Sequence, residues 1–205
     1  MADNDALIAK IYDPLLYFAL KNIRQDVRQI LDKEAGAKIL DLCCGTGDQL
    51  KVLADAGFSD LTGVDLSPPM LEVAAKGGKI TTLLEKDAQH TGLPDGDFSV
   101  VMLSFAIHEK TAAVQKSMLT EAQRILKTGG VLLLTDFVFD KNARALGKIG
   151  VTIAERIAGG EHYRNFKSYI KAGGLPALIS PKLFTFEKEN RHTFGAVTIS
   201  IYRKK

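Results

Sequence analysis

The chain has 205 residues, 46% of them hydrophobic and 25% charged, with a formal net charge of +3. That composition suits one globular domain with a sizeable core. The small, scattered positive balance gives no footprint of a nucleic-acid binder, and no apolar run approaches the roughly 20 residues that span a bilayer.

The opening "MADNDALIAK" lacks the basic-then-apolar order of a signal peptide, so a cytoplasmic protein with reduced cysteines is expected. Asp13-Pro14 then opens a helix whose face carries Leu16, Leu20, Ile23, Val27 and Ile30. Strands are expected at Lys38–Leu42, Leu61–Val64, Thr81–Leu84, Phe98–Ser104 and Val131–Asp136, each about one βα unit apart. Ser67-Pro68 starts a helix between the second and third. Ala112–Leu126 places Val114, Met118, Ala122 and Ile125 on one helical face, and Lys127-Thr128-Gly129-Gly130 stops it. Ala143–Ala158 repeats the helical spacing with Leu146, Ile149, Ile153 and Ile157. Lys182–Glu187 and Ala196–Tyr202 read as two strands too close for a crossover helix, hence antiparallel. The alternation predicts an α/β fold with a mainly parallel sheet.

The stretch "ILDLCCGTGDQL" (39–50) carries the first chemistry. Cys43 and Cys44 are adjacent, so in extended chain their side chains point to opposite faces, which is poor geometry for one metal. His90, His108, His162 and His192 are widely scattered in sequence, no Cys-x-x-Cys is present, and no metal site is expected. Gly45 and Gly47 sit where a strand turns into a helix. They serve either a plain βα turn or a cradle for a ligand lying across the strand end. Asp65 closes "LTGVD" about 20 residues later, where a carboxylate is placed to accept both hydroxyls of a ribose, and the pair points to a nucleoside. Leu50 occupies the third-glycine position of a dinucleotide turn, and Asp48 brings negative charge where a pyrophosphate would lie. A cationic, phosphate-free ligand suits this pocket better.

"ILDLCCGTGD", "GVDLSPPMLEVA", "KDAQHTGLPDGDFSVVMLSFAIHE" and "RILKTGGVLLLTD", in that order, resemble the class I S-adenosylmethionine-dependent methyltransferases, closest to the small-molecule group that includes quinone-biosynthesis enzymes. The resemblance covers about residues 39 to 136. Cys43 stands where many members carry a first glycine. The resemblance implies a Rossmann-like seven-stranded sheet of order 3-2-1-4-5-7-6, the last strand antiparallel. It also implies a single domain: a helical lid over 1–35, a cofactor core over 36–136, an acceptor-pocket insertion over 137–180 and a strand pair over 181–205. S-adenosyl-L-methionine is the implied cofactor and S-adenosyl-L-homocysteine its product. Asp41, Cys43, Gly45, Thr46 and Gly47 form the turn beside the methionine part. Asp65 takes the ribose, Leu66 packs near adenine, Asp87 and Ala88 meet its edge, and Ser104 approaches the amino group.

Displacement at a sulfonium methyl needs chiefly an in-line, close nucleophile, and a base only where the acceptor must lose a proton. His108 in "SFAIHE" is the candidate base, because its ordinary pKa suits neutral pH. Glu109 either orients it or faces solvent. Tyr12, Tyr17 and Phe18, and His162, Tyr163 and Arg164 in "GGEHYRNF", are candidate substrate contacts, with core packing as the alternative. No Asn-Pro-Pro-Tyr motif follows the fourth strand, which favours oxygen or carbon acceptors over nucleic-acid nitrogen. A small-molecule acceptor is the expected partner. A non-catalytic cofactor-binding protein and a nucleotide-binding reductase are the alternatives; Leu50 and the paired C-terminal strands argue against the second.

Overall fold

In the computed structural model of the chain, residues 20–205 are described; Tyr12, Tyr17 and Phe18 lie outside them. Helical backbone over 20–31 (α1) is followed by strand β1 (Ile39–Leu42), helix α2 (Asp48–Asp55), β2 (Leu61–Asp65), α3 (Pro68–Ala74), β3 (Thr82–Glu85), β4 (Phe98–Ser104), α4 (Ala112–Ile125) and β5 (Leu126–Phe137). Helices α5 (Ala145–Ala158), α6 (Gly160–Lys171) and α7 (Leu175–Leu178) precede β6 (Phe184–His192) and β7 (Val197–Lys204). The strands form one seven-stranded sheet of order β3-β2-β1-β4-β5-β7-β6. The first five run parallel, and β7 is antiparallel to both β5 and β6.

The sheet is covered on both faces because its strands are apolar on both. Leu40, Leu42, Val101, Leu103, Leu132 and Leu134 face Met118, Ala122 and Ile125 of α4, with Tyr169 and Leu175. The alternate positions Ile39, Val100, Met102, Val131, Leu133 and Ile199 pack with Ile23, Val27 and Leu31 of α1 and Leu50 and Leu53 of α2. Each fully buried aliphatic side chain stabilises the fold by about 1.5–3 kcal/mol. Asp26 holds α1 to the far sheet edge by accepting from Asn190 at 2.8 Å and facing His192 at 2.7 Å.

Three expectations change. Lys127–Gly130 does not form a coil stop: α4 ends at Ile125 and β5 begins at once. Phe98 pairs with Leu126 and Val100 with Val131, so the four intervening residues bulge from the strand, which Gly129 permits with φ 74°. β6 continues to His192, leaving a tight Thr193–Gly195 turn. The apolar stripe of α5 faces outward. Leu146, Ile149, Ile153 and Ile157 are 55–80% exposed, while Gly147, Val151 and Glu155 turn inward. Gly147 explains the choice of face: a Cβ there would lie 2.4 Å from the Thr193 carbonyl oxygen, so only this face approaches the C-terminal turn closely.

Candidate active site

The carboxyl ends of β1, β2, β4 and β5 lie side by side, and the turns leaving them build the site. After β1 the backbone takes left-handed geometry at Cys43 (φ 64°), Gly45 (φ 54°) and Gly47 (φ 72°). The two glycines do different work. A Cβ on Gly47 would meet Ile80 Cδ1 at 2.6 Å and Ala74 Cβ at 2.9 Å, so this glycine lets α3 close on the turn. A Cβ on Gly45 would meet no atom of the described residues within 4 Å, so among them this glycine has room in front of it. Lys51 secures the turn by donating to the Thr46 carbonyl at 2.8 Å and the Val73 carbonyl at 3.0 Å. Asp48, the acidic residue in the first turn of α2, is paired with Arg24 of α1 at 2.9 Å.

Asp65 meets this turn. One of its oxygens accepts the Gly45 amide at 2.7 Å and the other the Ser67 amide at 2.9 Å. Leu66 beside it is 66% exposed, an apolar surface at the strand end. Asp87 folds into a local turn, accepting the Gln89 amide at 2.8 Å, and Ala88 is buried. Asp41 and Ser104 bring buried polar atoms without partners among the described residues, Asp41 Oδ1 and Ser104 Oγ. Burial pushes the Asp41 carboxyl up to about 8, and the nearby Asp65 charge adds to this against the pull of Arg24.

The cysteines separate as adjacent residues should. Cys43 packs against the core on one face of the sheet and Cys44 on the other. Burial, then the charge of Asp65, lifts the Cys43 thiol to about 12; burial, then Asp41, also lifts Cys44. Both remain neutral thiols at physiological pH, without the thiolate that sulfur chemistry requires.

His108 lies deeper than a free base would. It is 3% exposed, its Nδ1 is 2.6 Å from Asp136 Oδ1, and its Nε2 is 3.5 Å from Glu155 Oε2. Asp136 also accepts the Ile107 and His108 amides at 3.2 Å. Burial pulls the imidazole pKa down, but the charge and hydrogen bond of Asp136, then Glu155, outweigh it and raise it to about 10. His108 therefore carries its proton at neutral pH, and the expected proton-accepting role does not fit this geometry. Phe137, Phe166 and Tyr169 ring it at centroid distances of 4.6, 6.3 and 6.4 Å.

His162, on the first turn of α6, joins the same cluster. Its Nε2 is 2.8 Å from Glu109 Oε2 and its Nδ1 3.8 Å from Glu155 Oε2. Glu109 thus turns to His162 and to Lys110, at 2.6 Å, and not to solvent. Tyr163 stacks on Phe166 at 6.3 Å, and Arg164 is exposed. Gly159, with φ 134°, joins α5 to α6 and sets the angle that brings His162 back over Glu155. Glu155 and Asp136 escape a reading of local pattern. The only signal for Glu155 was a lone carboxylate continuing the Gly147–Val151 face of an apolar helix.

Residues 39–130 match the family model described as a methyltransferase domain. The demethylmenaquinone methyltransferase of Thermus thermophilus is 35% identical over 119 residues, 56% of this chain and 53% of that protein. An uncharacterised methyltransferase of Synechocystis is 37% identical over 101 residues, 49% of this chain and 47% of that one. The match thus spans about half the length of these relatives. Among solved structures, a Thermotoga maritima SAM-dependent methyltransferase, described as a possible histamine N-methyltransferase, superposes with a TM-score of 0.70 at 21% identity, covering 100% of both chains. Magnesium protoporphyrin IX methyltransferase of Synechocystis, solved with bound SAH, gives 0.63 at 17% identity over 90% of this chain and 83% of that one. At such identities the likeness is one of fold.

Proposed function

With residues 39–130 a methyltransferase domain on this seven-stranded fold, we propose that the chain transfers a methyl group from S-adenosylmethionine to a small-molecule acceptor, at oxygen or carbon. The observation that carries the reading is the Gly45 amide held on the Asp65 carboxylate at 2.7 Å, where a Gly45 Cβ would meet no atom of the described residues within 4 Å. A glycine turn and a strand-end carboxylate in contact define where a nucleoside lies in such sheets.

The residues present fit the cofactor. Asp65 would accept the ribose hydroxyls, and Leu66, exposed beside it, would cover the adenine whose edge meets Asp87 and Ala88. Asp41 Oδ1 and Ser104 Oγ are buried acceptors lacking partners among the described residues, and an ammonium group is the donor they lack. Asp41, Cys43 and Thr46 hold the turn, through which Gly45 and Gly47 admit the methionine part. When bound, the cofactor supplies a methyl on a positively charged sulfur, activated for in-line displacement. The chain's own task is then to orient the acceptor and exclude water. We assign that task to residues 137–180, with His162, Tyr163 and Arg164 at its rim, and to the N-terminal 1–35, including Tyr12 and Tyr17, as lid. Residues 36–136 form the cofactor core and 181–205 the closing strand pair. The relatives named for demethylmenaquinone and magnesium protoporphyrin IX support the small-molecule class.

Isothermal titration with S-adenosylhomocysteine tests the binding half, and single-stoichiometry binding is expected. Methyl transfer to a panel of hydroxylated aromatic and activated-carbon acceptors tests the chemical half. A folded protein with no affinity for the cofactor product would sink the reading.

A further inference from the structure

Scattered histidines gave no metal spacing in the sequence, yet the fold brings two of them together around one carboxylate. His108 Nε2 and His162 Nδ1 approach the same oxygen, Glu155 Oε2, at 3.5 and 3.8 Å. The three ligand atoms lie within 4.8 Å of one another. We propose that His108, Glu155 and His162 form a two-histidine, one-carboxylate site for a divalent transition metal such as Zn²⁺, Fe²⁺ or Co²⁺.

Four observations carry this. First, the spacings are long for hydrogen bonds and match shared coordination. Ligands about 2.1 Å from a tetrahedral metal stand about 3.4 Å apart. Second, Glu155 Oε2 and His162 Nδ1 are buried atoms without a hydrogen-bond partner of good geometry among the described residues, although Glu155 is only 7% exposed. The oxygen faces the two imidazoles, and a metal ion bound between them would take over their positive charge as the rings release protons. Third, the outer nitrogen of each histidine is held by its own carboxylate. Asp136 takes His108 Nδ1 at 2.6 Å and Glu109 takes His162 Nε2 at 2.8 Å. This carboxylate–histidine arrangement fixes ring orientation and tautomer in metal centres. Fourth, Phe137, Phe166 and Tyr169 wall the His108 side of the cluster, leaving His162 at its open rim.

Imidazole nitrogen with a carboxylate selects Zn²⁺, Fe²⁺, Co²⁺ or Ni²⁺ over Mg²⁺ or Ca²⁺, which prefer all-oxygen sets. Three protein ligands leave a position open for water or an acceptor oxygen. None of the three ligands is a cysteine or belongs to the Gly45–Asp65 contact.

The test uses the full-length, tag-free protein stripped with chelator, then equilibrated with Zn²⁺, Co²⁺ or Mg²⁺ and assayed for metal per chain. Close to one equivalent of Zn²⁺ and of Co²⁺ is expected, with Co²⁺ giving the visible absorption of a low-coordinate nitrogen–oxygen site and Mg²⁺ not retained. At a free concentration of 100 times Kd the melting temperature should rise on the order of 5–10 °C. His162→Ala, at the half-exposed rim, and Glu155→Gln should abolish stoichiometric binding. Glu109→Gln should weaken it about 10–100-fold. His192→Ala, in the separate pair with Asp26, should leave it unchanged. Substoichiometric metal in the parent protein would overturn the proposal, as would unaltered binding by His162→Ala, which keeps the test open should Glu155→Gln not fold. The titration needs neither cofactor nor acceptor, so its failure leaves the methyl-transfer reading intact.

Discussion

The Gly45 amide donates to Asp65 across 20 residues of sequence, joining the turn after the first strand to the end of the second. Both Asp65 oxygens are satisfied by backbone amides, from Gly45 and Ser67. The carboxylate is therefore aimed before any ligand arrives. Each charge-assisted hydrogen bond from a ribose hydroxyl is worth about 1.5–3 kcal/mol, so Asp65→Ala should lose more than tenfold in S-adenosylhomocysteine affinity. Calorimetry on a folded variant checks this; unchanged affinity would return Asp65 to a purely structural part in the turn.

The two glycines should separate cleanly. Gly47→Ala forces a Cβ to within 2.9 Å of Ala74 and 2.6 Å of Ile80, at φ 72°. Overpacking and left-handed strain together should cost about 2–4 kcal/mol of stability. Gly45→Ala meets no atom of the described residues within 4 Å and should cost only the strain, about 1–2 kcal/mol, while placing a methyl in the proposed cofactor's path. Urea unfolding paired with cofactor titration reads both quantities. Equal loss of affinity and of stability at both positions would refute the division of labour.

Asp41 should make the cofactor-free protein sensitive to mild alkali. Its folded pKa, about 8, lies above the ordinary value of 3.8. The folded state therefore holds a proton that the unfolded state releases, and stability falls as pH rises from about 4 through 8. Asp41→Asn keeps the shape and removes the titration, so it should raise the melting temperature at pH 8.5 more than at pH 5. The same variant should bind the cationic cofactor more weakly. A melting shift independent of pH would show that burial of Asp41 carries no such linkage.

Cys43 takes a backbone conformation that favours glycine, with φ 64°. Cys43→Val, branched at Cβ, should lose about 1–2 kcal/mol, whereas Cys43→Gly should unfold at equal or higher urea concentration than the parent. Cys43→Ala should keep cofactor affinity within a few-fold, because the thiol is neutral and the turn acts through its backbone. A large affinity loss in Cys43→Ala, with stability preserved, would give the sulfur a direct role.

Much of the architecture was legible in the residues themselves. Runs such as "KILDL" and "VLLLTD" are apolar on both faces, and that pattern belongs to strands buried in a parallel sheet. The glycine turn and Asp65 were legible because backbone chemistry at a βα turn is local: the chain needs φ above zero and a near carboxylate, and both leave a mark in short stretches. Solvent exposure was less legible. The Leu146, Ile149, Ile153 and Ile157 stripe has helical period, but period alone does not say which face docks. The approach of Gly147 to the Thr193 carbonyl decided that, and it turned the stripe outward.

The His108 cluster lay wholly beyond sequence. His108 follows β4, Asp136 is the penultimate residue of β5, Glu155 belongs to α5 and His162 to α6, so no spacing within one element connects them. Parallel pairing of Ser104 with Thr135 brings the ends of β4 and β5 together. The break at Gly159 then folds α6 back so that His162 faces the Glu155 of the preceding helix. The sequence by itself determined the strands, their burial on both faces and the glycine turn after the first of them, because those follow from periodicity and backbone freedom. Only the tertiary structure decided what His108 meets: an imidazole between two carboxylates is a product of long-range packing, and its proton affinity is set by Asp136 and Glu155, which the chain delivers from two other elements.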